Sequence, residues 1–427
     1  MFFVIAVLAG ICARLVFLCL GDNYLPYGKG SDTGIHWYLA QEILKTGKIQ
    51  SYHEGVYEAF FPYLISYTVL ISVMMKFFGV RYTAVLFPNI MCDMVTTIII
   101  YKLLKKWKNQ RTALAAVVLW MLNPIGIVFC AEGLALSVTN MLIALSFYVV
   151  YYLWRSFQKK EYYKFFLLAA GTGVVFALGN AFRVLFSVFL LAVVILLTVY
   201  GSRYFKKKDV VYAATGIIIL IGVMGASSFA VTKMQQQVNP YYTQKHNALG
   251  WSMFVGANYD TQGRWSVADW NEMPPRLYND EMHPTEVNRE FMNMAVERYR
   301  QMSPSELGVH ILNKSKVLFE HNEIVIFRNI EEQFANVTGF EEWVGTANHL
   351  GLVTLTVFAC LQVLFFIGIF RDKKNLDWFL FFLSLCFCGL LLSSLCVEVM
   401  SRYVSVFLVL LVIFGACALE NLLCSHV

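Results

Sequence analysis

Apolar runs long enough to cross a lipid bilayer recur along this chain, and no other feature narrows its fold as much. A helix needs about 20 apolar residues to span the hydrocarbon core, and within lipid only helices and closed barrels satisfy every backbone polar group. The runs lie near 2–20, 62–79, 82–104, 112–131, 134–154, 164–182, 184–201, 210–230, 350–370, 377–396 and 403–423. Composition agrees, with 58% of the 427 residues hydrophobic, 15% charged and a mean hydropathy of +0.58. A soluble domain is about half apolar and a quarter charged. A soluble chain with the present balance would lack polar surface to cover itself. The net charge of +6 is no nucleic-acid signal, because the lysines and arginines gather in short loops between the runs.

The ten cysteines fall in apolar runs or at their edges, and none occurs in 231–347. They read as small buried hydrophobes, and an outer segment without cysteine needs no disulfide framework. The first run lacks a basic start and contains Arg14. It therefore reads as a retained span and not a cleavable signal.

Charge sets the expected topology. Basic loops at Lys102–Arg111, Arg155–Lys164, Arg203–Lys208 and Arg371–Lys374 belong in the cytoplasm by the positive-inside rule. They fall on one side only if one run does not cross. The run 62–79 starts at Pro62, ends at Gly79 and is short, so it reads as an interfacial or re-entrant helix. The expectation is an all-α polytopic protein of about ten transmembrane helices with both termini inside. Its parts are a membrane module (1–230), a mostly helical outer segment (231–347) and C-terminal membrane helices (348–427).

The chemistry-bearing residues then collect outside. After Tyr27-Gly28-Lys29-Gly30-Ser31, Asp32 opens a stretch whose Ile35, Leu39, Ile43 and Leu44 recur at helical spacing up to Gly47. That pattern predicts an amphipathic helix in the headgroup zone. Asp32 is either its N-cap or a base at the membrane surface. Glu132 follows Asn123-Pro124 and opens the next span. It is either a carboxylate favoured by a helix dipole or a functional group beside lipid. Arg183 sits in a tight turn and binds either lipid phosphate or a substrate phosphate. Glu398 and Arg402, four apart, would pair on one face if their stretch is helical. Asp93, inside a span, reads as a packing or water-cavity residue.

In the outer segment, Tyr241–Asn247 includes Lys245 and His246, and Gly256–Ser266 mixes aromatics with Asn, Asp and Arg. Such mixtures suit a sugar and suit any wet loop equally, and His246 reads as either structural or functional. Pro284 and Ser303-Pro304 predict helices over 284–301 and 304–320. Asn313-Lys314-Ser315 and Asn336-Val337-Thr338 match the glycosylation sequon. No HExxH, CxxC, P-loop or GxSxG pattern occurs, which removes metalloprotease, ATPase and serine-hydrolase chemistry.

The layout resembles the GT-C class of membrane glycosyltransferases, and within it the dolichyl-phosphate-mannose protein mannosyltransferases and aminoarabinose transferases. The residues that carry the resemblance are the acidic first loop ending Leu44-Lys45-Thr46-Gly47, then Phe61-Pro62-Tyr63 and Lys76-Phe77-Phe78-Gly79. Asn123-Pro124 with Glu132, Gly171–Gly179 leading to Arg183, and Ser401-Arg402-Tyr403 complete it. One departure is Thr33, where the family often has a second acid after the first.

The resemblance implies transfer of a sugar from a polyprenyl-phosphate carrier to a glycan, lipid or protein acceptor outside the cytoplasm. Asp32 would be the base, and Glu132 the second catalytic carboxylate, positioning donor or acceptor. Arg183 and Arg402 would hold the lipid phosphate, with Glu398, Lys245 and His246 completing the substrate-binding set. It also fits a bacterial plasma membrane. No cofactor is predicted and no metal ligand is assigned, while a divalent metal remains compatible with the family. The rival class is a lipid-linked-sugar flippase or transporter, which would favour inverted repeats and charge near the midplane. No repeat is evident.

Overall fold

Each of the ten runs expected to cross the membrane forms helix in the computed structural model. The structure describes residues 2–24, 32–200, 207–243, 248–278, 283–320, 340–371 and 377–424, and among them every regular element is helical. The order begins α1 (Phe2–Tyr24), α2 (Asp32–Thr46), α3 (Tyr52–Phe60), α4 (Tyr63–Phe78) and α5 (Thr83–Trp107). Next come α6 (Gln110–Met121), α7 (Pro124–Ala131), α8 (Leu136–Gln158), α9 (Tyr162–Phe182), α10 (Phe186–Ile195) with a π turn over Leu196–Tyr200, and α11 (Lys207–Val238).

The polar segment contributes α12 (Leu249–Gly256), the single turns α13 (Val267–Trp270) and α14 (Pro274–Leu277), α15 (Pro284–Gln301) and α16 (Pro304–Phe319). The chain closes with α17 (Phe340–Arg371), α18 (Trp378–Cys396), a 3-10 stretch over Ser401–Phe407 and α19 (Leu408–Cys424). Among the described residues, seven helices are long and apolar enough to cross a membrane, or eight if α6 and α7 form one broken span.

Local chemistry sets these limits. The amphipathic helix expected after Asp32 is α2, and it stops at Gly47, whose φ of 76° suits glycine at a helix end. Both proline-led helices are present and capped. Ser303 accepts from the Glu306 N–H while the Glu306 carboxylate accepts from Ser303 N–H, and His283 with Glu286 does the same for α15. The run 62–79 is α4, whose 16 residues rise only about 24 Å against a core of roughly 30 Å.

The expected span 112–131 is broken. Pro124 has no N–H to continue α6, Asn123 caps α7, and the two helices bend by 52°. Carbonyls at the end of α6 lose their partners there, and Arg14 of α1 supplies donors. Its Nη1 donates to Met121 O at 2.9 Å and Gly10 O at 3.0 Å, and its Nε donates to Asp93 of α5 at 2.6 Å. Asp93 is thus a packing residue in a buried ion pair. One turn earlier on α5, Asn89 donates to Cys130 O at 3.2 Å and to Glu132 O at 2.9 Å. One face of α5 therefore anchors Arg14 at the end of α6 and, through Asn89, the C-terminal end of α7.

One continuous apolar core runs through the membrane helices. A smaller core joins Trp251, Phe254, Val287, Phe291 and Ala295 of the polar segment to Phe60 and Phe61 at the end of α3. Burying a side chain such as Phe291 contributes about 1.5–3 kcal/mol. This second core fastens the polar segment over the first loop.

Candidate functional site

Four of the sequence-predicted residues meet at one place. Asp32 is the first residue of α2, where the helix dipole favours a carboxylate. Its Oδ2 accepts from Arg402 Nη2 at 3.0 Å, with the two side chains 35% and 16% exposed. Arg402 stands in the 3-10 stretch that leads into α19. Arg183, extended at the end of α9, lays its guanidinium over the Tyr403 ring at 4.6 Å from the centroid. Among the described residues the Arg183 guanidinium donates no hydrogen bond, so its planar set of donors is uncommitted.

Glu398 completes the cluster. Burial pushes its carboxyl up to about 7, with Asp32 adding to the rise, while Arg402, a hydrogen bond from Tyr403 and Arg183 oppose it. The expected helical pairing of Glu398 with Arg402 is not how the turn is built. Val397 and Met400 are extended, and Arg402 gives its hydrogen bond to Asp32 instead.

Glu132, 1% exposed, caps the C-terminal end of α7 in an extended conformation and acts on the charge of Arg402. The dipole expected to favour it at a helix start is therefore not the one it meets. Lys245 and His246 lie outside the described residues, as do the glycines of Tyr27–Ser31 and the sequon at Asn336. Among the described residues no group of three His, Cys, Asp or Glu side chains could hold a metal ion.

The sequence did not single out the residues that build the wall around Asp32. Burial raises the Tyr57 phenol well above its ordinary value, and the charges of Asp32 and Glu398 add to this. Tyr63, first residue of α4, feels Arg183, Glu398, Asp32 and Arg402. Beneath them His36, one turn after Asp32, is buried with Glu58 of α3 and Thr68 of α4. The Thr68 hydroxyl donates to Glu58 Oε1 at 2.6 Å. His36 Nδ1 lies 2.7 Å from that hydroxyl and 3.2 Å from the same carboxylate oxygen. With the Thr68 proton spent on Glu58, His36 Nδ1–H is the donor to Thr68. A polar residue on the buried stripe of an amphipathic helix is the sequence signal for such a knot, and His36 between Ile35 and Leu39 carries it.

From α11, Gln235 donates to Pro62 O at 2.8 Å and Ser66 Oγ at 3.0 Å, and Asn239, just past the helix, donates to Gly55 O at 2.8 Å. Gly55 leaves room for the neighbouring Tyr241 ring, which a Cβ there would approach to 2.4 Å.

The Gly256–Ser266 stretch is divided in its contacts. Arg264 pairs with Glu320 at 3.1 Å. Asn258, Tyr259 and Asp260, with Asp269 and Arg298, line an open polar cavity of about 530 Å³.

The all-helical membrane architecture is GT-C-like in its fold. Over its whole length the chain aligns with an archaeal oligosaccharyltransferase, AglB from Archaeoglobus fulgidus, solved in complex with an inhibitory peptide and a dolichol-phosphate, with a TM-score of 0.54 and 9% identity. The chain spans 51% of that protein's length. Residues 62–228 match the family model of the dolichyl-phosphate-mannose-protein mannosyltransferases. No curated protein matches the chain.

Proposed function

We propose that this chain is a glycosyltransferase that moves a sugar from a polyprenyl-phosphate carrier to an acceptor on the extracytoplasmic side of a membrane. One observation carries the reading: a partly exposed carboxylate, Asp32, and two arginines from distant parts of the chain share one pocket of charge. A carboxylate beside paired guanidiniums suits a reaction that removes a proton at one point and releases a phosphate at another.

In the proposed step, Asp32 takes the proton of an acceptor hydroxyl as its oxygen attacks the anomeric carbon. The bond from that carbon to the phosphate oxygen breaks, and polyprenyl phosphate leaves as an anion held by Arg183 and Arg402. Guanidinium suits this task, because its fork of donors matches phosphate oxygens. A single displacement inverts the anomeric centre. Glu132, whose charge acts on Arg402, positions donor or acceptor. On this reading 231–347 is an extracytoplasmic cover between the membrane modules 1–230 and 348–427, both termini are cytoplasmic, and the membrane is a bacterial plasma membrane.

The test is transfer from a radiolabelled polyprenyl-phosphate sugar in membranes containing the native chain or Asp32→Asn. The substitution is expected to lower transfer on the order of 10²–10⁴-fold, the usual weight of a positioned base. Full transfer by Asp32→Asn would remove Asp32 from that role. Solute transport without transfer by the native chain would remove the class.

A further inference from the structure

Lys314 is fully buried on α16, and the mechanism above does not use it. Its Nζ donates to Gly256 O at 2.8 Å and Val397 O at 2.7 Å, and it forms no ion pair among the described residues. His310, one turn earlier, reaches the same Gly256 carbonyl at 2.9 Å. The next two residues of the turn are also held: Glu398 N–H donates to Ser252 O at 2.6 Å and Val399 N–H to Gly263 O at 2.9 Å. The backbones touch, since a Cβ on Gly256 would lie 2.3 Å from the Val397 carbonyl carbon. Gly263 has a φ of 76°, and its missing Cβ makes space for the Lys314 stem.

A buried cation without a carboxylate beside it costs folding energy, and an apolar side chain would fill the same space more cheaply. The groups that offset this cost are the Gly256 and Val397 carbonyls, with Glu398 a more distant negative charge. Burial pulls the Lys314 ammonium down to about 8, and Cys396 and Glu398 support its charged form. At neutral pH the ammonium therefore remains largely protonated.

We propose that Lys314 is a positioning residue: it clamps Val397–Val399 to the polar segment and so fixes Glu398 and the Arg402 turn opposite Asp32. Its ligand-side consequence rests on the glycosyltransferase reading. Glu398 faces Asp32 from α2, Tyr57 from α3, Tyr63 from α4, Arg183 from the end of α9, and Arg402 and Tyr403 from its own turn. When Glu398 is protonated it stops competing for Arg183 and Arg402, so a phosphate binds more tightly below the Glu398 midpoint near 7. Removing the Lys314 cation raises that midpoint.

The experiment uses the full chain in lipid nanodiscs, with a long-chain polyprenyl phosphate as the probe. Hydrogen exchange at Glu398 and Val399 is read together with probe affinity across pH. In Lys314→Met, exchange at these amides is expected to rise tenfold or more, and affinity at pH 5, where Glu398 is protonated in both chains, to fall about tenfold, the weight of one charged hydrogen bond. The pH midpoint moves upward. Gly256→Ala attacks the same clamp from the end of α12 and is expected to give the same faster exchange, which decides the matter if Lys314→Met does not fold. Unchanged exchange and an unchanged midpoint in Lys314→Met would overturn the proposal. If the native chain binds no polyprenyl phosphate, the glycosyltransferase reading fails, and the exchange result alone then decides the clamp.

Discussion

The two walls of the candidate site are held by different kinds of bond. The wall that carries Asp32, Tyr57 and Tyr63 is knotted through side chains, with His36, Glu58 and Thr68 joining three consecutive helices. The wall that carries Glu398 and Arg402 is held through its backbone, by carbonyls and N–H groups of Val397–Val399 against Ser252, Gly263 and Lys314. The knot of the first wall joins residues close in sequence, and Gln235 and Asn239 brace it from farther along the chain. The second borrows its support from a segment more than eighty residues upstream. A side-chain knot fails when one residue loses its polar group, whereas a backbone clamp fails when a close approach is blocked.

Glu58 offers the largest break of that comparison. It is fully buried, and one of its oxygens takes both the Thr68 and His36 contacts. Glu58→Ala leaves the buried Thr68 hydroxyl without its carboxylate acceptor, removes the charge beside His36 and opens a hole between α2, α3 and α4. The expected loss is about 2–5 kcal/mol of stability, read as a lowered thermal midpoint in nanodiscs. Exchange should quicken in α2 and α3 while Glu398 and Val399 stay protected. Faster exchange in both walls would mean that they are one unit and not two.

Glu398 gives a smaller, pH-dependent separation of the walls. Its folded midpoint near 7 lies above the ordinary 4.5 of a glutamate, so the folded state binds the proton more tightly than the unfolded chain. Stability from this group is therefore fully present below about 4.5 and is lost as pH rises through about 7. Glu398→Gln should raise the thermal midpoint at pH 8 and change it little at pH 5, because the amide mimics the protonated acid. An equal shift at both pH values would show that the carboxylate is not what titrates in this wall.

Most of the fold was readable before the structure, because lipid leaves few options and the apolar runs mark the helices directly. Proline and capping residues also marked α15 and α16 to within a residue, and Gly47 marked the end of α2. The break in α6–α7 was not foreseen: Asn123-Pro124 signals it, but Arg14 mends it from another helix. In the site, charged residues in short turns stood out against an apolar background, which is why Asp32, Arg183, Glu398 and Arg402 were all noticed. Their pairing was not readable, since Glu398 to Arg402 looked helical and proved extended. The backbone clamp left almost no residue signature beyond Gly256, Gly263 and a lysine on the buried stripe of α16. Carbonyl and N–H groups are common to every residue.

The smallest expected effect belongs to Glu42, at the far end of α2. Its carboxylate accepts from Gln50 N–H at 2.8 Å, from Ser51 N–H at 3.0 Å and from the Ser51 hydroxyl, so it closes the turn between α2 and α3. These bonds are local and partly exposed, and water can replace most of what they supply. Glu42→Gln keeps the acceptor oxygen and removes the charge, so the expected loss is below about 1 kcal/mol. Transfer should stay at the native level, because the His36 knot continues to hold α2 against α3 and α4. A marked fall in transfer with an unchanged thermal midpoint would show that the placement of Asp32 depends on the whole length of α2. The first wall would then be a lever anchored at Glu42, and the knot only its pivot.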